Sequence, residues 1–163
     1  MKKIFFYNSP IGEIGIVENE KRITGIYSGD ELEDKNSLIE DRNYILEETV
    51  LISKAYNEIK EYFKGDRKEF TIPLSLEGTE FQKKVWQELI NIPYGETRSY
   101  KEIAIKIGKP TAARAVGMAN NKNKILIVIP CHRVIGQDGS LVGYGAGIDI
   151  KKYLLDLEKK NNN

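Results

Sequence analysis

The 163-residue chain reads as an α+β protein: an N-terminal antiparallel sheet packed with a long helix, then a mostly helical second domain. Three observations point there. Strand-like segments crowd the chain as far as Tyr27, helix-capping patterns crowd the region after Thr79, and the charge changes sign near Gly78. Residues 1–80 carry 11 Lys/Arg against 17 Asp/Glu, whereas residues 81–163 carry 14 against 7. The expected domains are therefore 1–78 and 79–163.

Lys2 to Tyr7 is aromatic-rich and reads as the first strand. Gly12 and Gly15 bracket a turn into a second strand near Ile14 to Glu18, and Glu20-Lys21 turns into a third, Ile23 to Tyr27. The pattern predicts a meander with one covered face. Residues 29–40 are acidic and read as a loop. Ile45, Ile52, Tyr56, Ile59 and Phe63 then form one stripe of a helix over Asp41–Phe63, which Gly65 ends. Pro73 keeps Phe70–Leu74 extended.

The second half is denser in helix signals. Thr79 with Gln82 and Ser99 with Glu102 are capping-box patterns. The first opens a helix with Phe81, Val85 and Leu89 as one stripe and Trp86 beside it; the second opens a short helix with Ile103, Ala104 and Ile107 as its apolar side. After the Gly108-Lys109-Pro110 break another short helix runs from Thr111 to Asn120, giving a helix-turn-helix unit. Ile125 to Ile129 is an unbroken apolar run and is expected to be buried. A glycine-rich loop spans Gly136 to Gly147. A last helix, Ile150–Glu158, is expected to turn Tyr153, Leu154 and Leu157 inward, and the Asn161–Asn163 tail is expected to fray.

Composition narrows the function. With 40% hydrophobic and 30% charged residues, the chain is neither wholly disordered nor collagen-like. No run approaches roughly 18 apolar residues, so no membrane helix is expected. The basic-aromatic start is broken at Asn8 and Pro10, too early for a signal-peptide core, and a reducing, cytoplasmic setting is expected. The chain has one cysteine and one histidine, too few for an intramolecular disulfide or a closed Cys/His zinc site. The basic second half permits an anionic partner.

In the 111–120 helix, Ala112, Ala115, Val116 and Ala119 make one face, and Arg114, Gly117, Met118 and Asn121 make another. Gly117 would admit a sugar-phosphate backbone, and Arg114 is long enough to enter a groove or a gap in the base stack. The bland alternative is an Ala-rich helix that merely packs. Lys101, Lys106, Lys109, Lys122 and Lys124 could meet phosphates around it.

Cys131 and His132 are adjacent, in Pro130-Cys131-His132-Arg133-Val134, directly after the longest apolar run. A nearby imidazolium and Arg133 could favour the thiolate, or His132 could accept the thiol proton directly or through a water. An acid to orient the imidazole could be Asp149, Asp156 or Glu158. A lone cysteine is otherwise a core thiol.

Pro130-Cys131-His132-Arg133-Val134 resembles the signature of the O6-alkylguanine-DNA alkyltransferases, the methylated-DNA–protein-cysteine methyltransferase family. Ile92-Pro93-Tyr94-Gly95-Glu96-Thr97 with Ser99-Tyr100 is similar to the family's lead into its helix-turn-helix. Ala112-Ala113-Arg114-Ala115-Val116-Gly117 is similar to its recognition helix. Gly143-Tyr144 with Gly147 is similar to its substrate loop, and Lys152-Tyr153-Leu154-Leu155 with Glu158 to its closing helix. The correspondence runs over about residues 79 to 158, in order.

The resemblance implies a ribonuclease H-like first domain, a winged helix-turn-helix-like second domain and direct reversal of DNA damage. The alkyl group of a flipped O6-alkylguanine in double-stranded DNA, with O4-alkylthymine a further candidate, would move irreversibly to Cys131. His132 would be the water-mediated base, Glu158 its orienting acid, Asn123 the brace of the turn, and Tyr100 the donor to the leaving base. Arg114 would be the finger that refills the stack. Tyr100, Ala112, Ala113, Gly117, Met118, Lys101, Lys109 and Arg133 would meet DNA. Val134, Gly143, Tyr144, Gly145, Ala146 and Gly147 would line the guanine pocket. No cofactor or metal is implied, and one-site chemistry does not need a dimer, so a monomer is expected.

Three departures stand out. Gly145 replaces a serine of some members, Lys124 follows Asn123 where many have proline, and the first half lacks the zinc ligands of some relatives. The rival readings are an alkylguanine-sensing protein without transfer, which the retained Cys131 argues against, and a Cys-His hydrolase.

Overall fold

The computed structural model describes residues 1–32, 34–144 and 146–162. The chain forms two compact units: Met1–Ser75 with Lys124–Leu126, and Leu76–Asn123 with Ile127–Asn163. In the first, β1 (Lys3–Ser9), β2 (Gly12–Asn19) and β3 (Arg22–Ser28) make the expected antiparallel meander. Glu20 and Lys21 make the second turn with left-handed φ values of 50° and 64°, the twist that two-residue hairpins prefer. Gly15 lies inside β2 rather than beside a turn, opposite Phe6.

The meander is covered on both faces, not one. Ile4, Val17 and Tyr27 share a buried cluster with Leu32 and Tyr44, and Phe6, Leu38 and Ile39 pack against it. Leu32, Leu38 and Ile39 come from the segment expected to be a loop. It forms a 3-10 turn (Gly29–Leu32) and α1 (Lys35–Asp41), capped by Asp34. The acidic composition of the segment masked the three apolar residues that hold it to the sheet.

The helix expected over Asp41–Phe63 is divided. Asn43 takes a left-handed φ of 54° just after α1, and Ile45–Leu46 becomes β4, parallel to β1 at the sheet edge. Thr49 then caps α2 (Val50–Phe63) by accepting from the Ile52 N–H. Ile45 thus leaves the stripe and is 39% exposed, while Ile52, Ala55, Ile59 and Tyr62 form the buried apolar side of α2. Tyr56 stacks on Tyr7 with centroids 3.9 Å apart. Tyr7 points oppositely to Ile4 along β1, so α2 covers the second face.

The run Ile125–Ile129 is buried in most of its length but is not one element. Ile125 makes a parallel bridge to Ile26 of β3, and Ile127 turns the chain with φ 71°, a conformation that β-branched residues rarely adopt.

The second unit contains α3 (Glu80–Ile90), α4 (Tyr100–Lys106) and α5 (Ala113–Asn121), and both capping boxes form. The helix α5 packs on α3 and α4, and the Trp86 indole N–H donates to the Ala119 carbonyl at 2.9 Å. Ala115 is exposed, and Asn120 takes the inward place instead. Strands β5 (Arg98–Ser99) and β6 (Val134–Ile135) pair in parallel, which sets Tyr100 beside the chain that leaves Cys131.

The last helix, α6 (Ile148–Asn161), buries Lys151, Leu154 and Glu158 on one stripe. Tyr153, expected inward, is off that stripe and 41% exposed. The expected fraying of the tail is also corrected: Asn161 ends α6, and Asn162 lies so close to Gly95 that a side chain there would collide with it. Asn163 lies outside the described residues. Among the described residues no helix is long and apolar enough to cross a membrane.

Candidate active site and nucleic-acid interface

Apart from Lys124, which belongs to the first unit, every described site residue named from the sequence lies in the second unit. Cys131, His132 and Arg133 form a 3-10 turn directly after Pro130, and all three are buried. Asn123 braces this turn. Its Nδ2 donates to the Ile129 carbonyl at 2.8 Å and to the Cys131 sulfur at 3.1 Å. Asn120 donates to the Cys131 carbonyl at 3.3 Å.

Burial pushes the Cys131 thiol up to about 11, against the contacts of Asn123 and Tyr144 and the charge of Lys151. The resting sulfur is therefore a thiol. Burial lowers the His132 pKa despite the pull of Glu158, so the imidazole is neutral at pH 7. Its Nε2 lies 2.6 Å from the Glu158 Oε2, whereas Nδ1 is buried with no hydrogen-bond partner among the described residues. With a carboxylate as acceptor, Nε2 carries the proton and Nδ1 keeps its lone pair.

Of the three candidate acids, only Glu158 reaches the imidazole. It also accepts from Arg133 Nε at 2.8 Å, Arg133 Nη2 at 3.1 Å and the Gly95 N–H at 3.1 Å. Burial works to raise its pKa, but His132 and Arg133 outweigh burial and hold the carboxyl well below the usual range. Arg133 is a correction. It was expected on the DNA face, yet it is 6% exposed, and its remaining Nη1 donates to the Ile92 carbonyl at 2.7 Å. The buried carboxylate has taken the guanidinium away from any phosphate.

Lys151 was missed by the sequence reading. It is fully buried and donates to the Val134 and Val142 carbonyls, at 2.5 and 3.1 Å. Its ammonium lies 5.9 Å from the ring centres of both Tyr100 and Tyr144. Burial lowers its pKa to about 8, and the nearby Cys131 opposes that shift. The spacing 151, 154, 158, one stripe shared with Leu154 and Glu158, is the signal that could have found it.

The Tyr100 hydroxyl donates to the same Val142 carbonyl at 2.8 Å, and burial, then the nearby Cys131, raises its pKa. Gly143 has φ 65°, and a Cβ there would stand 3.3 to 3.4 Å from the Asn121 amide and the Tyr100 hydroxyl. The left-handed dihedral favours glycine, and a side chain there would also press on its neighbours. Tyr144 is buried facing the sulfur, which raises its own pKa after burial has done so. Val134 is buried, Ala146 is half-buried, and Gly147 caps α6. Gly145 lies outside the described residues.

Arg114 and Met118 are exposed on α5, with Ala112, Ala113 and Gly117 half-buried beside them. Lys101 and Lys109 are exposed nearby in sequence. Arg114 makes no hydrogen bond or ion pair with a described residue. A Cβ at Gly117 would meet only the Tyr100 ring, at 3.7 Å. The packing of the protein itself does not demand a glycine there.

Residues 3–76 match the ribonuclease-like domain, and residues 80–160 the DNA-binding domain, of 6-O-methylguanine DNA methyltransferase. The chain is 51% identical to the methylated-DNA–protein-cysteine methyltransferase of Methanosarcina barkeri, over 94% of each chain. It is 46% identical to the constitutive one of Bacillus subtilis, over 93% of this chain and 92% of that one. It superposes on the crystal structure of Mycobacterium tuberculosis OGT in complex with DNA with a TM-score of 0.88. That match has 43% identity and covers 98% of this chain and 94% of the other.

His132 is the only histidine, so its titration has a separate signature. Its pKa is lower folded than unfolded. The unfolded chain therefore takes up more protons as the pH falls below about 6.5, and stability present above that value is lost toward acid. The denaturant midpoint is expected to fall between about pH 7 and pH 5.5 in the native chain and to stay flat in His132→Gln. A flat native profile would contradict a neutral buried imidazole.

Proposed function

The chain belongs to the methylated-DNA–protein-cysteine methyltransferase family of DNA repair proteins, and from that premise we propose that Cys131 is the atom that takes the alkyl group from O6-alkylguanine in duplex DNA. One observation carries the assignment. The only sulfur nucleophile of the chain sits next in sequence to a neutral imidazole whose Nε2 is tied to Glu158, leaving Nδ1 as a proton acceptor.

The step balances without a cofactor. His132 Nδ1 takes the thiol proton, through a water. The sulfur lone pair forms a bond to the alkyl carbon, and the carbon–oxygen bond breaks with its electrons going to guanine O6. Tyr100 donates a hydrogen bond or proton to guanine N3, and the proton lost by sulfur ends on the guanine. To do this the Tyr100 hydroxyl leaves the Val142 carbonyl, which Lys151 continues to satisfy. The product is a thioether that His132 cannot hydrolyse, so each molecule reacts once.

Arg114 supports the base-flipping part of the reading: it is exposed, uncommitted and on the first turn of α5. Inserted in the stack, it offsets part of the few kcal/mol that flipping costs. Gly117, Ala112, Ala113 and Met118 form the adjoining surface, and Lys101 and Lys109 supply phosphate contacts. Reduced-thiol chemistry on DNA suits a monomer in the cytoplasm.

Incubation with duplex O6-methylguanine is expected to add about 14 Da, one methyl replacing one proton, to the peptide carrying Cys131. Native folded protein with no adduct by intact-mass spectrometry would sink the assignment. Arg114→Ala is expected to slow repair of the duplex at least about tenfold more than reaction with free O6-benzylguanine, since about 1.4 kcal/mol of lost flipping support is a factor of ten. Equal loss on both substrates would place Arg114 in the chemistry or the fold instead.

A further inference from the structure

Asn120 sits in the last turn of α5 and is 1% exposed. Its Nδ2 donates to the backbone carbonyl of Cys131, an oxygen that also accepts the Val134 N–H. Its Oδ1 is sealed from solvent and has no hydrogen-bond partner among the described residues. A buried amide with half its capacity unused is a net cost to the fold. Leucine, which has the same branched heavy-atom skeleton with two methyl groups in place of the amide oxygen and nitrogen, would stand beside the buried Val116 and Ala119 without an unsatisfied polar atom. What leucine could not do is hold the residue that carries the nucleophile.

We propose that Asn120 is a positioning residue that fixes Cys131 in the frame of α5, so that a base delivered by a duplex seated on α5 meets the sulfur in register. The proposal rests on the reading of α5 as the DNA-contacting helix. Arg114 is on the first turn of α5 and Asn120 on its last, about 9 Å apart along the axis at the helical rise. One rigid helix then has DNA at one end and the nucleophile bolted to the other. An extruded base stays tethered to its duplex, so its place is set by whatever seats the duplex, and it cannot follow a sulfur that shifts. A free base can. Displacement of the sulfur by about 1 Å costs on the order of a hundredfold for a substrate held in place, and far less for one that diffuses in. Asn123 acts differently: it lies past the end of α5 and bonds Ile129 and the sulfur, holding the shape of the turn rather than its link to the helix.

The test measures single-turnover methyl transfer from saturating O6-methylguanine duplex beside the reaction with free O6-benzylguanine, in the native chain, Asn120→Leu and Asn120→Ser. Duplex affinity is read by fluorescence anisotropy. The duplex rate of Asn120→Leu is expected to fall at least about tenfold further than its free-base rate, with duplex affinity within about threefold of native. Equal loss on the two substrates, or no loss, overturns the proposal. Asn120→Ser is too short to span to the Cys131 carbonyl and is expected to show the same split; if the leucine variant does not fold, this ratio decides. A native chain that takes no methyl from duplex would overturn the transfer reading itself, a result separate from an unchanged ratio in a native chain that does.

Discussion

The second unit is organised around one buried carboxylate. Glu158 is 1% exposed, and its oxygens receive donors from His132, twice from Arg133, and from the Gly95 backbone. These donors come from the turn after α3 and from the turn that carries Cys131, while Glu158 itself rides on α6. A single side chain thus ties three separate stretches of chain together. Taking a carboxylate out of water is expensive, and removing one partner of such a group typically costs about 3–5 kcal/mol. The arrangement holds because every donor is aimed at the carboxylate at once.

The remaining polar groups divide between holding and reacting. Arg133 looks like a DNA contact in the sequence but spends its guanidinium on Glu158 and on the Ile92 carbonyl. Lys151 is buried without a carboxylate partner among the described residues and bonds the carbonyls of Val134 and Val142, which come from two separate stretches of chain. A buried cation placed next to a thiol is a costly feature for a fold to keep, and its place beside Cys131 is where a developing thiolate gains most from it. The raised thiol and the lowered imidazole leave Cys131 and His132 themselves uncharged at rest, between the Lys151 ammonium and the Glu158–Arg133 pair.

Signals that act locally were legible in the sequence. The hairpin at Glu20-Lys21, the Thr79–Gln82 and Ser99–Glu102 capping boxes, and the helix breaks at Gly65 and Gly108 each depend on a few neighbouring residues, and each is present. The Cys131–Arg133 turn was legible because its residues are contiguous, and Glu158 because it was one of three candidate acids and the family resemblance singled it out. Features set by tertiary contacts were not. The helix assigned to Asp41–Phe63 is broken because Ile45 and Leu46 find strand partners in β1, which no periodicity reveals. The 29–40 segment folds because three apolar residues in an acidic stretch meet a sheet face. Lys151 and Asn120 carry no local signal of their role, and only packing shows that both are buried, Asn120 against the Cys131 carbonyl and Lys151 against the Val134 carbonyl. Arg133 failed in the opposite sense, since its charge was credited to a partner outside the chain.

The account depends on His132 being held as a neutral ring, protonated on the nitrogen that faces Glu158 and bare on the other. A two-bond proton–nitrogen NMR correlation of the single histidine, recorded at neutral pH on the unreacted protein, reads this directly. The account predicts the pattern of a neutral ring with the proton on Nε2. An imidazolium pattern, or a neutral ring with its proton on Nδ1, would leave no base for the Cys131 thiol and would contradict it.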